Sequence, residues 1–179
     1  MGLDASGESS HRRRNAIIFA AVVALWLLID QLTKLWAETG PLSAPWSGIP
    51  PTLPLIPGVV QLMLVHNTGG AWGMFSDMTQ LLGVLALIVC AAAVLYLFVL
   101  APSSSPLATV GLSLVVAGGI GNAIDRFVRG YVVDLIDPTF IDFPVFNVAD
   151  IGVTIGIVLF MASLIASSRR VEHGSPDQS

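Results

Sequence analysis

The chain has 179 residues, 54% of them hydrophobic and 11% charged, with a mean hydropathy of +0.80. Soluble domains carry about a quarter of their residues as charges, so this composition excludes a water-solvated globule and points to one domain solvated by lipid. The net charge of −4 gives no footing for nucleic-acid binding, and the single cysteine, Cys90, excludes an intrachain disulfide framework or a cysteine-rich metal site.

In chain order, Met1 to Ser10 is small and polar and is predicted to be disordered. It forms the first part of a tail, 1–14, that ends in His11-Arg12-Arg13-Arg14. The apolar run that follows is too long for a signal peptide and has no small-x-small cleavage site before Asp30. It predicts a retained membrane helix over 15–36. Asp30 and Lys34 lie one turn apart near its far end. They form either an ion pair at the interface, with Lys34 snorkelling to water, or part of a site.

Residues 40–77 differ in kind. Six of the eleven prolines fall between Pro41 and Pro57, which excludes a long helix there. Val59 to His66 has strand character, and the NTGGAWG that follows has the glycines of tight turns. A small antiparallel sheet on the membrane surface is predicted. Asn67 serves either an Asx-turn or the site.

Further membrane helices are predicted over 78–100, 107–125 and 147–167, with a loop over 126–146 and a second tail over 168–179. The fold class is therefore four transmembrane helices with a small extracytoplasmic antiparallel sheet. Arg12, Arg13 and Arg14 precede the first helix, and Arg169 and Arg170 follow the fourth. The positive-inside rule then places both termini in the cytoplasm and the stretches 40–77 and 126–146 outside.

The polar residues concentrate between Gly118 and Asp150, a stretch with five aspartates, two asparagines and two arginines. Ionisable groups at a bilayer are costly and commonly functional. Gly118, Gly119 and Gly121 permit close approach of a helix or a substrate, ordinary helix packing included. Asn122 and Arg126 share a helix face. Asp125 is read as a structural salt-bridge partner that holds the helix end, and Arg126 offers a fork of donors for a phosphate or carbonyl. Asp134 stands in the apolar segment YVVDLI. Asn147 and Asp150 have the spacing of a capping box at the start of the fourth helix. Asp137 and Asp142 are expected in turns.

Two carboxylates sharing one proton can hydrolyse a peptide bond. The ionised member takes a proton from water, and the protonated member donates to the carbonyl oxygen. A metal centre is the weaker reading, because His11, His66 and His173 do not cluster in sequence, and no serine nucleophile elbow is present. No cofactor is expected.

The motifs GGIGNAIDR (Gly118 to Arg126), VVD (Val132 to Asp134) and FNVAD (Phe146 to Asp150) resemble those of the lipoprotein signal peptidases, or signal peptidase II. The pair Asp30 and Lys34 and the run Asn67 to Gly73 resemble further motifs of that family, with Trp72 where phenylalanine is expected. The resemblance implies an aspartic endopeptidase of the bacterial cytoplasmic membrane, acting on a prolipoprotein just before a cysteine that carries diacylglycerol. It implies a catalytic dyad of Asp134 and Asp150. Asn67, Gly70, Asn122, Arg126 and Asn147 would surround substrate or dyad, with Asp30 and Lys34 in support. It also implies inhibition by globomycin, bound across the two aspartates. The partners would be the lipid-modified prolipoprotein and the phospholipid bilayer; no oligomeric state is read from these motifs. A proton-coupled transporter is the alternative from another class. Against it, the acids gather at one boundary rather than along a path across the bilayer.

Overall fold

A computed structural model of the chain describes residues 5–45, 48–70, 72, 74–76 and 78–173. The elements are α1 (Ala5–Thr39), a 3-10 turn (Pro41–Ser43), β1 (Thr52–Ile56), β2 (Val60–Asn67), α2 (Thr79–Leu95), which ends in a π-helical turn (Tyr96–Leu100), α3 (Pro106–Val128), β3 (Val132–Pro138) and α4 (Val148–His173). Among the described residues four spans, Ser9–Thr39, Thr79–Leu100, Pro106–Val128 and Val148–Arg169, are long and apolar enough to cross a membrane.

α3 is the central helix and packs against the other three. Its small residues allow this. A Cβ on Gly118 would lie 2.3 Å from the Ala149 carbonyl oxygen of α4, and one on Gly111 would lie 2.7 Å from that of Gly156. Backbones this close gain van der Waals contact that bulkier side chains would forbid. The large side chains turn outward instead. Leu25, Leu28, Ile88, Val89, Ile157 and Val158 are all exposed, as helices solvated by hydrocarbon require.

The helices are longer than predicted at both ends of α1 and at the C-terminal ends of α3 and α4. α1 begins at Ala5, so residues 5–10, expected to be disordered, and the rest of the expected tail to 14 are helical; residues 1–4 lie outside the described residues. No proline interrupts residues 5–14, and the Arg12 and Arg14 guanidinium groups donate to the carbonyls of Phe98 in the π-helical turn and of Ser104 in the α2–α3 connection. α3 runs to Val128 and α4 to His173, because neither polar end contains a helix breaker.

The sheet is antiparallel with order β1-β2-β3. The prediction confined it to 40–77, but its third strand comes from 126–146. Asp137 therefore lies in a strand, where its carboxylate accepts from Gln61 Nε2 at 2.6 Å, and not in a turn. The register pairs Val65 with Asp134 and Asn67 with Val132, which sets Asn67 beside Asp134. The chain then returns. Phe146 exchanges backbone hydrogen bonds with Ile136, and this delivers Asn147 to the same place at the start of α4.

Candidate active site

The C-terminal ends of α1 and α3, the N-terminal turn of α4, and strands β2 and β3 converge at one end of the bundle. Lys34 lies at the centre of this region with no exposed surface. Its ammonium contacts Asp30 Oδ2 at 3.0 Å, Asp125 Oδ2 at 2.8 Å and Asn122 Oδ1 at 2.9 Å. An ammonium has three hydrogens, so this set satisfies it fully. Snorkelling of Lys34 to water is thereby corrected: the side chain points inward because two buried carboxylates require a cation. Asp125 pairs not with Arg126 but with Lys34 and with Arg129, one helical turn away, and it also accepts from the backbone of Val133 at 3.2 Å. These contacts tie the end of α3 to α1 and to β3. Two anions and two cations balance.

Asp30 has a task that no local spacing announces. Its Oδ1 accepts from the backbone N–H of Ala149 at 2.8 Å and so satisfies an orphan donor in the first turn of α4. Gly121 makes room for it, since a Cβ there would lie 2.5 Å from Asp30 Oδ2.

The asparagines are oriented by groups that can only donate or only accept. Lys34 can only donate, so Asn122 turns its oxygen toward Lys34 and its NH2 toward Asp150, where Nδ2 donates to Oδ1 at 2.8 Å. Asn147 caps α4: its Oδ1 accepts from Asp150 N at 3.0 Å, and its own N–H donates to Asp150 Oδ2 at 3.1 Å. The capping box is realised. The remaining Nδ2 of Asn147 then donates to Asp134 Oδ1 at 2.7 Å and to Asn122 Oδ1 at 3.0 Å. Asn67 makes its Asx-turn, accepting from Gly69 N at 3.0 Å, which leaves Nδ2 to donate to Asp134 Oδ2 at 2.9 Å. Asn67 and Asn147 each use one side chain both for a local turn or cap and for a bond to Asp134.

Asp134 and Asp150 line a single cavity of about 440 Å³, together with Asn67, Gly70, Asn122 and Arg126. Its other wall is apolar, with Phe143, Val145 and Phe146 before α4 and Ile151 and Ile155 on it. Arg126 reaches it from α3. The guanidinium touches the carbonyls of Asn122 and Gly69 only at 3.4 Å, and its buried Nε has no partner among the described residues. Asp134 is 2% exposed. Burial, opposed by the two asparagine amides, pushes its carboxyl from 3.8 up to about 7.

Of the run Asn67 to Gly73, Ala71 and Gly73 lie outside the described residues. Gly70 donates its N–H to the Met74 carbonyl at 2.7 Å and borders the cavity. Trp72 adopts a positive φ of 55° and packs edge-on to Phe143, with ring centroids 5.8 Å apart. The aromatic wall at Phe143 to Phe146 and the Asp125–Arg129 pair were not singled out from sequence. The latter was legible as an i,i+4 pair.

The chain matches the family described as signal peptidase (SPase) II over residues 22–166. It is 40% identical over 157 residues to the lipoprotein signal peptidase of Thermosynechococcus vestitus, covering 87% of this chain and 96% of that one. It is 38% identical over 147 residues to the lipoprotein signal peptidase of Clostridium acetobutylicum, covering 80% and 91%. Two solved structures described as bacterial membrane enzymes superpose on it. One has a TM-score of 0.74 and 28% identity, covering 90% of this chain and 93% of that chain; the other has 0.68 and 31%, covering 82% and 91%. The family match across most of the chain shows that this chain belongs to the signal peptidase II family, and its four apolar spans and carboxylate-bearing cavity at one end of the bundle accord with a membrane peptidase.

Proposed function

We propose that the chain is an aspartic endopeptidase that removes the signal peptide of diacylglyceryl-modified prolipoproteins by cleaving before the lipidated cysteine. The observation that carries this reading is the Asn147 side chain, which grips Asp134 and Asp150 at once and holds them on one cavity. The cavity has a polar end for a peptide bond and an apolar wall on α4 that continues the bilayer-facing surface. A lipid-anchored substrate needs both.

The pair shares one proton, and burial, which raises the Asp134 carboxyl to about 7, lets Asp134 carry it. Asp150 lies in the first turn of α4, where the positive end of the helix favours a negative charge. Water attacks the scissile carbonyl carbon. Asp150 takes a proton from that water as the C–O bond forms, and Asp134 gives its proton to the carbonyl oxygen. The resulting diol collapses: the C–N bond breaks, the amine nitrogen takes the proton from Asp150, and a diol hydroxyl returns its proton to Asp134. No acyl-enzyme forms. Arg126, which lines the cavity and makes only long contacts with its Nη1 and Nη2, holds a substrate carbonyl. Asn67, Gly70 and Asn122 border the peptide. Asp30 and Lys34 act through Asn122 and the α4 backbone.

The arginines at the two chain ends favour a cytoplasmic location for both termini, so the cavity opens at the extracytoplasmic face of the bacterial cytoplasmic membrane. Globomycin-type inhibitors would span the two aspartates. The test is cleavage of a synthetic lipobox peptide carrying diacylglyceryl-cysteine by the purified chain in detergent. Release of the signal fragment is expected. Absence of cleavage, together with proton-driven uptake in proteoliposomes, would replace the peptidase with a transporter.

A further inference from the structure

α4 carries one hydroxyl whose behaviour differs from that of its peers. In the membrane-spanning helices Thr33, Thr109, Ser113, Ser163 and Ser167 each donate to a carbonyl about one turn earlier. That is the ordinary way to satisfy a hydroxyl in hydrocarbon. Thr154 donates no hydrogen bond, and no other interaction of its side chain exists among the described residues. It borders the cavity that holds Asp134 and Asp150, flanked there by Ile151 and Ile155. Asp150 and Thr154 are i,i+4, so Thr154 lies on the same helix face about 6 Å further along α4, away from the sheet. Thr154 is exposed rather than buried in protein, and in a hydrocarbon setting an exposed hydroxyl without an acceptor is unfavourable unless a ligand supplies one.

Given the function proposed above, on which this inference rests, the acceptor has a specific chemistry. With the scissile bond at the dyad, the thioether-linked glycerol of the cysteine leads toward the apolar wall. Its first acyl-ester carbonyl is separated from the cysteine backbone by Cβ, sulfur, two glyceryl carbons and the ester oxygen, a reach on the order of one to one and a half helical turns. We propose that the Thr154 hydroxyl donates a hydrogen bond to an acyl-ester carbonyl of the substrate's diacylglyceryl group. Thr154 is a specificity-determining contact for ester-linked lipid, and the apolar wall around it holds the chain that follows.

The test uses two lipopeptides of one sequence, one carrying a diacylglyceryl (ester) and one a dialkylglyceryl (ether) group, with the full chain in detergent. Their kcat/KM ratio is measured for the unaltered protein, T154V and T154S. A ratio within one preparation does not depend on how much of a variant folds. The unaltered protein should prefer the ester about five- to tenfold, the worth of one neutral hydrogen bond. T154V should bring the ratio close to one, chiefly through a higher KM for the ester, and T154S should restore the preference. An unchanged ratio in T154V, equal losses on both substrates, or no ester preference in the unaltered protein overturns the proposal while the peptidase reading stands. Cleavage of neither lipopeptide by the unaltered protein overturns both.

Discussion

Asn147 and Asp150 hold each other from both sides: the backbone N–H of each donates to the side-chain oxygen of the other, at 3.1 and 3.0 Å. The same Asn147 also donates to Asp134. Helix capping and dyad assembly are thus separable by substitution. Asn147→Ser keeps an oxygen that can cap α4 but has no amide to reach Asp134. It should lose activity by about a hundredfold while thermal stability falls little. Asn147→Ala should lose the cap as well, about 1 kcal/mol. Thermal melts and cleavage rates on both variants check this; equal activity losses without the stability difference would show capping to be unimportant.

Asp134→Asn and Asp150→Asn should each reduce cleavage more than a thousandfold, because neither amide can exchange the proton the reaction requires. Both variants should still insert and run as folded species on size exclusion. Full turnover in either one removes the dyad.

The raised carboxyl of Asp134 sets a pH limb. Its proton is lost as pH rises through about 7. Cleavage should therefore fall above that point, by about tenfold per pH unit, in the profile of kcat/KM. The stability sign follows from the same shift. The folded value lies above the unfolded 3.8, so between about 4 and 7 the folded chain binds more protons. The contribution of Asp134 to stability is complete below that window and declines as pH rises across it. Melting temperature against pH for the unaltered chain and Asp134→Asn should differ in slope there.

Lys34→Met should leave Asp125 with Arg129 alone and remove the cation that Asp30 pairs with. A loss of about 3–5 kcal/mol is expected, as when one partner of a buried pair is removed. Asn122 would also lose the donor that orients it. Adding Asp125→Asn should recover part of the stability but not the activity, since Asn122 stays free to turn. A double-mutant cycle on melting temperature and cleavage separates the two effects.

Gly121→Ala should displace Asp30, because its Cβ would lie 2.5 Å from Asp30 Oδ2. Asp30 would then release the Ala149 N–H and α4 would lose a first-turn partner. Lower activity together with faster amide exchange at the start of α4 is expected. Gly7→Ala, where a Cβ meets no atom within 4 Å, is the control.

Hydropathy runs, proline placement, the Asn67 Asx-turn and the Asn147–Asp150 capping box were all legible in the sequence, because each arises between residues close along the chain. The family motifs singled out Asp134 and Asp150 as well. Tertiary structure alone decided what these side chains face. Asp30 satisfies the N–H of Ala149, 119 positions away, and Lys34 turns inward to two carboxylates and the Asn122 amide. β3 leaves its expected loop to place Asp134 against Asn67. Helix packing sets such partnerships, through small residues on α3 that let α1 and α4 approach, and a donor within 3 Å across two helices leaves no periodic trace in either of them.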